Sequence, residues 1–188
     1  MKKRVFIISI LVVLIFIFLF SYNKKIVKIK YYGTDYTDYV KVMSSLLSFS
    51  SNEGVIGDKI SIKVRGKEKT IKVDYELWDG KTLYKSENII NYPVINGFNG
   101  NISFLLNFDR KEENKDARLF VDLIGNDGGH GKYVDIENFL FGNKGIATTS
   151  SEKTNWISFG EEEIIYNLAI QEDDSNYRWS LLLKLRVE

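Results

Sequence analysis

The sequence predicts a mostly β chain: an antiparallel two-sheet sandwich, Ig-like or similar, after a single N-terminal transmembrane helix. Three observations lead there. Met1-Lys2-Lys3-Arg4 precedes an apolar run from Val5 to Tyr22 that only Ser9 and Ser21 interrupt. Downstream, apolar and polar residues alternate with period two in several segments, the pattern of strands with one wet face. No repeat or linker divides residues 23–188, so they read as one domain behind an anchor at 1–22.

The apolar run comes first. As a helix its eighteen residues reach about 27 Å, close to the thickness of a bilayer's hydrocarbon core. A secretory signal carries a shorter apolar region, about 7–15 residues. It also needs two small residues before the cut, and here Leu19 stands where the second belongs. The chain has no cysteine to take a lipid. An uncleaved single-pass anchor is the expectation, and secretion after cleavage is the alternative. Lys2, Lys3 and Arg4 before the span are balanced by Lys24, Lys25, Lys28 and Lys30 after it. A long following domain translocates regardless of such charges, so the domain is expected outside. The alternative is a cytosolic domain tethered from its amino end.

The chain holds 26 Lys+Arg and 25 Asp+Glu. Three of the bases precede the span, leaving the domain close to neutral and slightly acidic. That balance gives no reason to expect nucleic acid. Without cysteine there is no disulfide, thiolate nucleophile or Cys-type zinc site. No cofactor and no metal is expected. One proline and many Asn, Lys and Ile residues suggest an AT-rich bacterial genome.

The strands follow in order. The first is expected at 26–32. Ile60, Ile62 and Val64 alternate with Ser61, Lys63 and Arg65, and Ile71, Val73, Tyr75 and Leu77 with Lys72, Asp74 and Glu76. A loop from Gly66 to Lys69 would pair Val64 with Ile71 on one face. Asp79-Gly80 tolerates the positive φ of a two-residue turn, which would pair Tyr75 with Tyr84 and Asp74 with Lys85. Further strands are expected at 102–108, 118–124, 133–140, 163–170 and 177–187. In the last, Tyr177, Trp179, Leu181, Leu183, Leu185 and Val187 share a face, and the loop at 171–176 would set Leu168 opposite Trp179. Residues 36–49 fit a helical stripe or a strand, with the strand preferred. Residues 109–116 and 143–155 read as polar connections.

Residues 125–132 resemble a phosphate-cradling loop but miss its pattern: Asn126 and Tyr133 stand where Gly and Ser or Thr are needed. A tight or mobile connection is the expectation. His130, the only histidine, reads as a solvated loop residue. Glu161-Glu162-Glu163 and Glu172-Asp173-Asp174 hold enough carboxylates for glycoside hydrolysis, yet consecutive acids usually face water. Trp78 is in phase with the wet face of its strand, and large aromatics outside a core mark binding surfaces. Trp78 with Tyr92 or Trp156 is the candidate binding set, able to stack on a sugar or grip a protein. No catalytic residue is assigned.

The basic head and apolar span, then Gly33-Thr34-Asp35 leading to Tyr39-Val40-Lys41-Val42, then the meander from Gly57-Asp58-Lys59 to Lys85, resemble small exported or membrane-anchored β-sandwich proteins of Gram-positive bacteria. The resemblance implies an extracytoplasmic sandwich and no particular activity. The expected role is binding or accessory, at the membrane, toward an envelope protein or glycan. The alternatives are an envelope hydrolase with paired carboxylates and an accessory subunit of a membrane complex.

Overall fold

The structure is a computed structural model that describes residues 13, 27–31, 53–109, 117–126, 128–136, 146–149, 155–171 and 177–188. The expected anchor at 1–22, Val13 aside, and the ambiguous 36–49 lie outside the described residues. Among the described residues no helix is long and apolar enough to cross a membrane.

The described part of the chain is mostly β. Nine strands run in the order β1 (Val27–Tyr31), β2 (Glu53–Asp79), β3 (Thr82–Asp109), β4 (Ala117–Gly125), β5 (Gly128–Ile136), β6 (Ile146–Thr149), β7 (Asn155–Ile157), β8 (Glu162–Gln171) and β9 (Tyr177–Val187). Every pairing is antiparallel, and all nine strands belong to one hydrogen-bonded sheet.

The β2–β3 hairpin organises everything else. A straight strand of 27 residues would run about 90 Å, roughly twice the breadth of a domain this size. The hairpin therefore bends. The register slips between Val64↔Phe98 and Lys67↔Asn96, and Gly66, Gly97 and Glu68 there take φ of 140°, 81° and 54°. An extra residue on one strand kinks it and inverts its alternation. Ile60, Ile62 and Val64 face inward before the bulge, and Ile71, Val73, Tyr75 and Leu77 after it. The Gly66–Lys69 loop expected from sequence is thus a bulge within one strand. Ile71 pairs with Tyr92, not with Val64.

The two halves of the hairpin recruit different partners. The Ile60–Val64 stretch of β2 pairs with β1, which pairs with β7, while Gly100–Phe108 of β3 pairs with β4 and then β5. The Ile71–Asp79 stretch of β2 pairs with β9, which carries β8 and β6. The buried apolar side chains of both halves form one core cluster. Phe104 of the first half packs on Tyr166 of the second, with ring centroids 4.1 Å apart. Lys132 of β5 reaches across to Glu87 at 3.8 Å and donates to the Asn88 carbonyl at 3.4 Å.

Other expected registers shift for local reasons. The turn loop is Gly80-Lys81, with Asp79 opposite Thr82, and Gly80 takes φ 59° at the first loop position. That position demands glycine in a type II′ turn. A further bulge follows between Leu77 and Trp78, so Tyr75 pairs with Glu87 instead of Tyr84. Asp74 accepts from Asn88 Nδ2 at 2.7 Å, not from Lys85. In the β8–β9 hairpin, Leu168 pairs with Leu181, and Ile170 with Trp179. That slip of two residues keeps Tyr166, Leu168, Leu181 and Leu183 on their expected face, while a bulge between Ile164 and Tyr166 turns Ile165 inward and Ile164 outward. Short strand β6 falls within the stretch 143–155 expected to be a polar connection, and β7 starts at its last residue. Of the glycine-rich segment, residues 128–132 belong to the edge strand β5, and Gly128 pairs with Gly125 of β4.

β3 continues through Pro93, which lacks an N–H and opposes Thr70. Pro is tolerated in a sheet where no ladder bond is asked of it. Thr70 turns its own N–H and C=O the other way, exchanging bonds of 2.8 and 3.0 Å with Glu188.

Candidate functional site

The alternation of β2 sends Lys59, Ser61 and Lys63 outward between buried Ile60, Ile62 and Val64. Their partners on β3 are Ser103, Asn101 and Asn99. Asn101 in turn pairs with Ile124, just before the β4–β5 turn residue Asn126. The bend curls the β3 segment 92–99 around this patch. The result is two clefts of about 550 and 470 Å³. They share Asn99 and Asn126 and so adjoin each other. Both volumes lie in the range typical of small-molecule sites, about 300–1,000 Å³.

The chemistry of the lining is distinctive. Asn96, Asn99, Asn101 and Asn126 supply amides, Lys59 and Lys63 supply cations, and among the described residues none of the lining is acidic. Among the described residues Lys63 makes no ion pair. Tyr92 closes one end, half-buried and edge-on to Phe98 with ring centroids 5.9 Å apart. Ile95 in the same wall is 73% exposed. Each amide both donates and accepts, so the cleft complements hydroxyl groups, which do the same.

Tyr92 is therefore in a cleft, but the three candidate aromatics do not gather. Trp78 lies on the wet side of β2, as its phase implied, half-buried, with Nε1 donating to Glu76 Oε2 at 2.9 Å. It stands seven positions from Ile71, the partner of Tyr92, or roughly 23 Å along the strand. Trp156 pairs with Lys28, which pairs with Lys63. It shares the cleft's cross-strand row, about 10 Å from β2, while its side chain lies outside the description. The asparagines and lysines were missed from sequence. The available signal was five asparagines among residues 88–101, which look like composition until a bend collects them.

The carboxylates are held by structural partners. Lys184 bridges Glu76 at 2.6 Å and Glu162 at 2.8 Å across β2, β9 and β8. Burial pulls the Lys184 pKa down, but the bonds to Glu162 and Glu76 outweigh it and leave the ammonium reinforced. Glu161 accepts from the Ser158 N–H at 2.7 Å. The 172–174 acids lie outside the described residues. His130 is exposed on β5 opposite Leu123. The Asp122 carboxyl near it is raised by burial and drawn back by the histidine's charge. Among the described residues no three His, Cys, Asp or Glu side chains gather as a metal site.

One acid faces inward. Asp58 shares the core side of β2 with Ile60, opposite Phe104. Burial raises its pKa to about 6, against the pull of the Lys59 N–H it accepts. Above it sits Tyr166, whose hydroxyl is buried and unpartnered among the described residues. Burial, with the Asp58 charge, raises the Tyr166 pKa. A carboxylate whose folded pKa exceeds its unfolded one stabilises most below the unfolded value, near pH 4. That contribution is lost as pH rises through 6. Asp58→Asn is expected to raise stability at pH 7.5 by about 1–2 kcal/mol, the full shift being discounted for residual solvent contact. The gain should vanish near pH 4. Unfolding titrations at both pH values check this, and an equal effect at both would refute it.

No family model, curated protein or solved structure matches this chain.

Proposed function

We propose that the chain is a binding protein of the bacterial cell surface. In this reading the apolar segment 1–22 anchors it, with the β domain outside the membrane. The folded sheet acts as a two-layer sandwich whose inner faces meet through Phe104 and Tyr166. The sequence resemblance to anchored sandwich proteins of Gram-positive bacteria, the length of the apolar run and Leu19 in place of a small residue before a cut support this placement. The observation that carries the binding role is the pair of adjoining clefts at the hairpin's bend. Its amides, lysines and Tyr92 suit recognition, and among the described residues its lining holds no paired carboxylates of the kind glycoside hydrolysis uses. The domain holds an envelope component and does not transform it.

Expression of the full chain with a C-terminal epitope in a Gram-positive host tests the reading. The epitope should fractionate with membranes and be removed by protease added to intact cells. Leaderless polypeptide in the medium, or an epitope protected from protease, would overturn it.

A further inference from the structure

Between the buried Leu119, Val121 and Leu123, β4 turns its other side chains to the outer face, where β5 answers them row by row. Arg118 has Asp135 across from it, with Nε 2.7 Å from Oδ1. Phe120 has Tyr133, with ring centroids 4.6 Å apart. Asp122 has only Gly131, and Ile124 only Gly129. The carboxylate and the 44% exposed isoleucine thus face empty seats on the edge strand. We propose that β5 accepts an added strand from an extended basic segment of a partner protein, whose lysine or arginine fills the seat over Gly131 and pairs with Asp122.

The backbone does not ask for glycine in these seats. Gly128 takes φ 129°, whereas Gly129 and Gly131 are outside the positive range. Glycine inside a strand marks a place where a ligand or another backbone comes close. A side-chain atom on Gly131 would stand 3.0 Å from the Phe120 ring and 3.3 Å from Asp122 Oδ1. A cation entering there meets an aromatic ring and a carboxylate together. Burial raises the Asp122 pKa, against the charge of His130 and the Leu123 N–H. Among the described residues no lysine or arginine pairs with this carboxylate. Partial burial strengthens its attraction for a cation above that of a solvated acid.

The edge itself is accessible. Among the described residues β5 ends the strand order, and residues 128–133 are all exposed. The strand contains no proline and its register with β4 no bulge, two devices that block edge pairing. Its charged side chains are drawn into the domain. Lys132 reaches Glu87 and the Asn88 carbonyl, and Asp135 holds Arg118. Main-chain bonds to such an edge give affinity, and side-chain seats give selectivity. Neighbouring strands lie about 4.8 Å apart, so a residue of the added strand stands two spacings from Asp122. A long cationic side chain crosses the bare glycine to reach it. Two positions along, on the same face, an apolar residue would cover Ile124 across Gly129. Asp122, Gly129 and Gly131 line neither cleft, so this surface is additional to the one at the bend.

Titration calorimetry on the full chain in detergent tests this. The probes are the end-blocked peptide Ser-Thr-Val-Thr-Arg-Thr-Val-Thr-Ser and its counterpart with glutamine in place of arginine. The arginine peptide should bind at least tenfold more tightly, lose that advantage in added salt, and slow amide exchange across residues 128–133. Asp122→Asn should weaken the arginine peptide at least tenfold and leave the glutamine peptide unchanged. Gly131→Lys, which supplies the cation from the chain itself, should also weaken the arginine peptide at least tenfold. Melting temperatures show that the variants are folded. Asp122→Asn keeps the shape of its side chain, so it decides the matter if Gly131→Lys does not fold. No binding of the arginine peptide, equal binding of both peptides, unslowed exchange across 128–133, or unchanged affinity in folded Asp122→Asn would overturn the proposal. None of these outcomes bears on whether the protein is anchored at the surface, which the epitope experiment decides separately.

Discussion

Replacing Phe104 by alanine is expected to destabilise the protein by about 3–5 kcal/mol. Phe104 is 1% exposed and among the largest fully buried side chains. It comes from the first half of the hairpin and packs on Tyr166 of β8 in the second. Its loss would remove the apolar area of one ring and leave a cavity where the halves meet. It would also bring water toward Asp58 and the Tyr166 hydroxyl, partly offsetting the cost. Domains of this size have about 5–15 kcal/mol in hand, so the variant should sit near the edge of folding. Phe104→Leu, which keeps most of the volume, should cost less than half as much. Chemical unfolding followed by tryptophan fluorescence measures both. A loss below 1 kcal/mol for the alanine variant would mean that the halves do not rest on each other there.

The second large effect is expected at a glycine pair. Gly100 and Gly125 face each other across β3 and β4, and the Phe98 ring lies over both. The three atoms nearest a Cβ at Gly125 all belong to that ring, whereas a Cβ at Gly100 would drive into the Ile124 carbonyl oxygen and the Gly125 Cα as well. Side chains can give way and backbone cannot, so the two sites should respond differently. Gly125→Ala is expected to cost about 1–3 kcal/mol, and Gly100→Ala about 3 kcal/mol or more. Adding Phe98→Leu should recover much of the first loss and little of the second. A double-mutant cycle on each pair reads this as coupling. Equal rescue at both positions would show that the ring alone sets the fit.

The faces of the strands were legible in the sequence, and their partners mostly were not. Alternation around Ile60, Tyr75 and Leu183 marked the buried side of each strand correctly, because inward residues cannot be polar without cost. What alternation cannot distinguish is a reversal from a bulge. Both interrupt the phase near Gly66, and only tertiary pairing decides which occurs. Pro93 and its surrounding asparagines hid the middle of β3 for a similar reason. Their poor strand propensity is overridden by a partner strand that asks nothing of the proline's missing N–H. The Gly80 turn was recognised, but a one-residue displacement plus one bulge moved Tyr75 from Tyr84 to Glu87. The cleft was the least legible part. Tyr92 was singled out for its aromatic ring, while Asn96, Asn99, Asn101 and Asn126 acquire meaning only once the bend brings them around Lys63. Trp78 kept its expected face but found Glu76 in place of a neighbouring aromatic.

The shared hairpin also sets how this protein must assemble. Its pairings range from Asp79↔Thr82 beside the turn to Glu53↔Asp109, whose residues lie 56 positions apart. Loop-closure entropy favours nearby partners first, so the ladder closes like a zip from Gly80 outward. The bulges at Leu77, Val73 and Val64 are passed in turn and act as notches that hold the teeth in step. Neither half can come undone alone without tearing a strand the other depends on, which makes the body one cooperative unit despite its branched pairing.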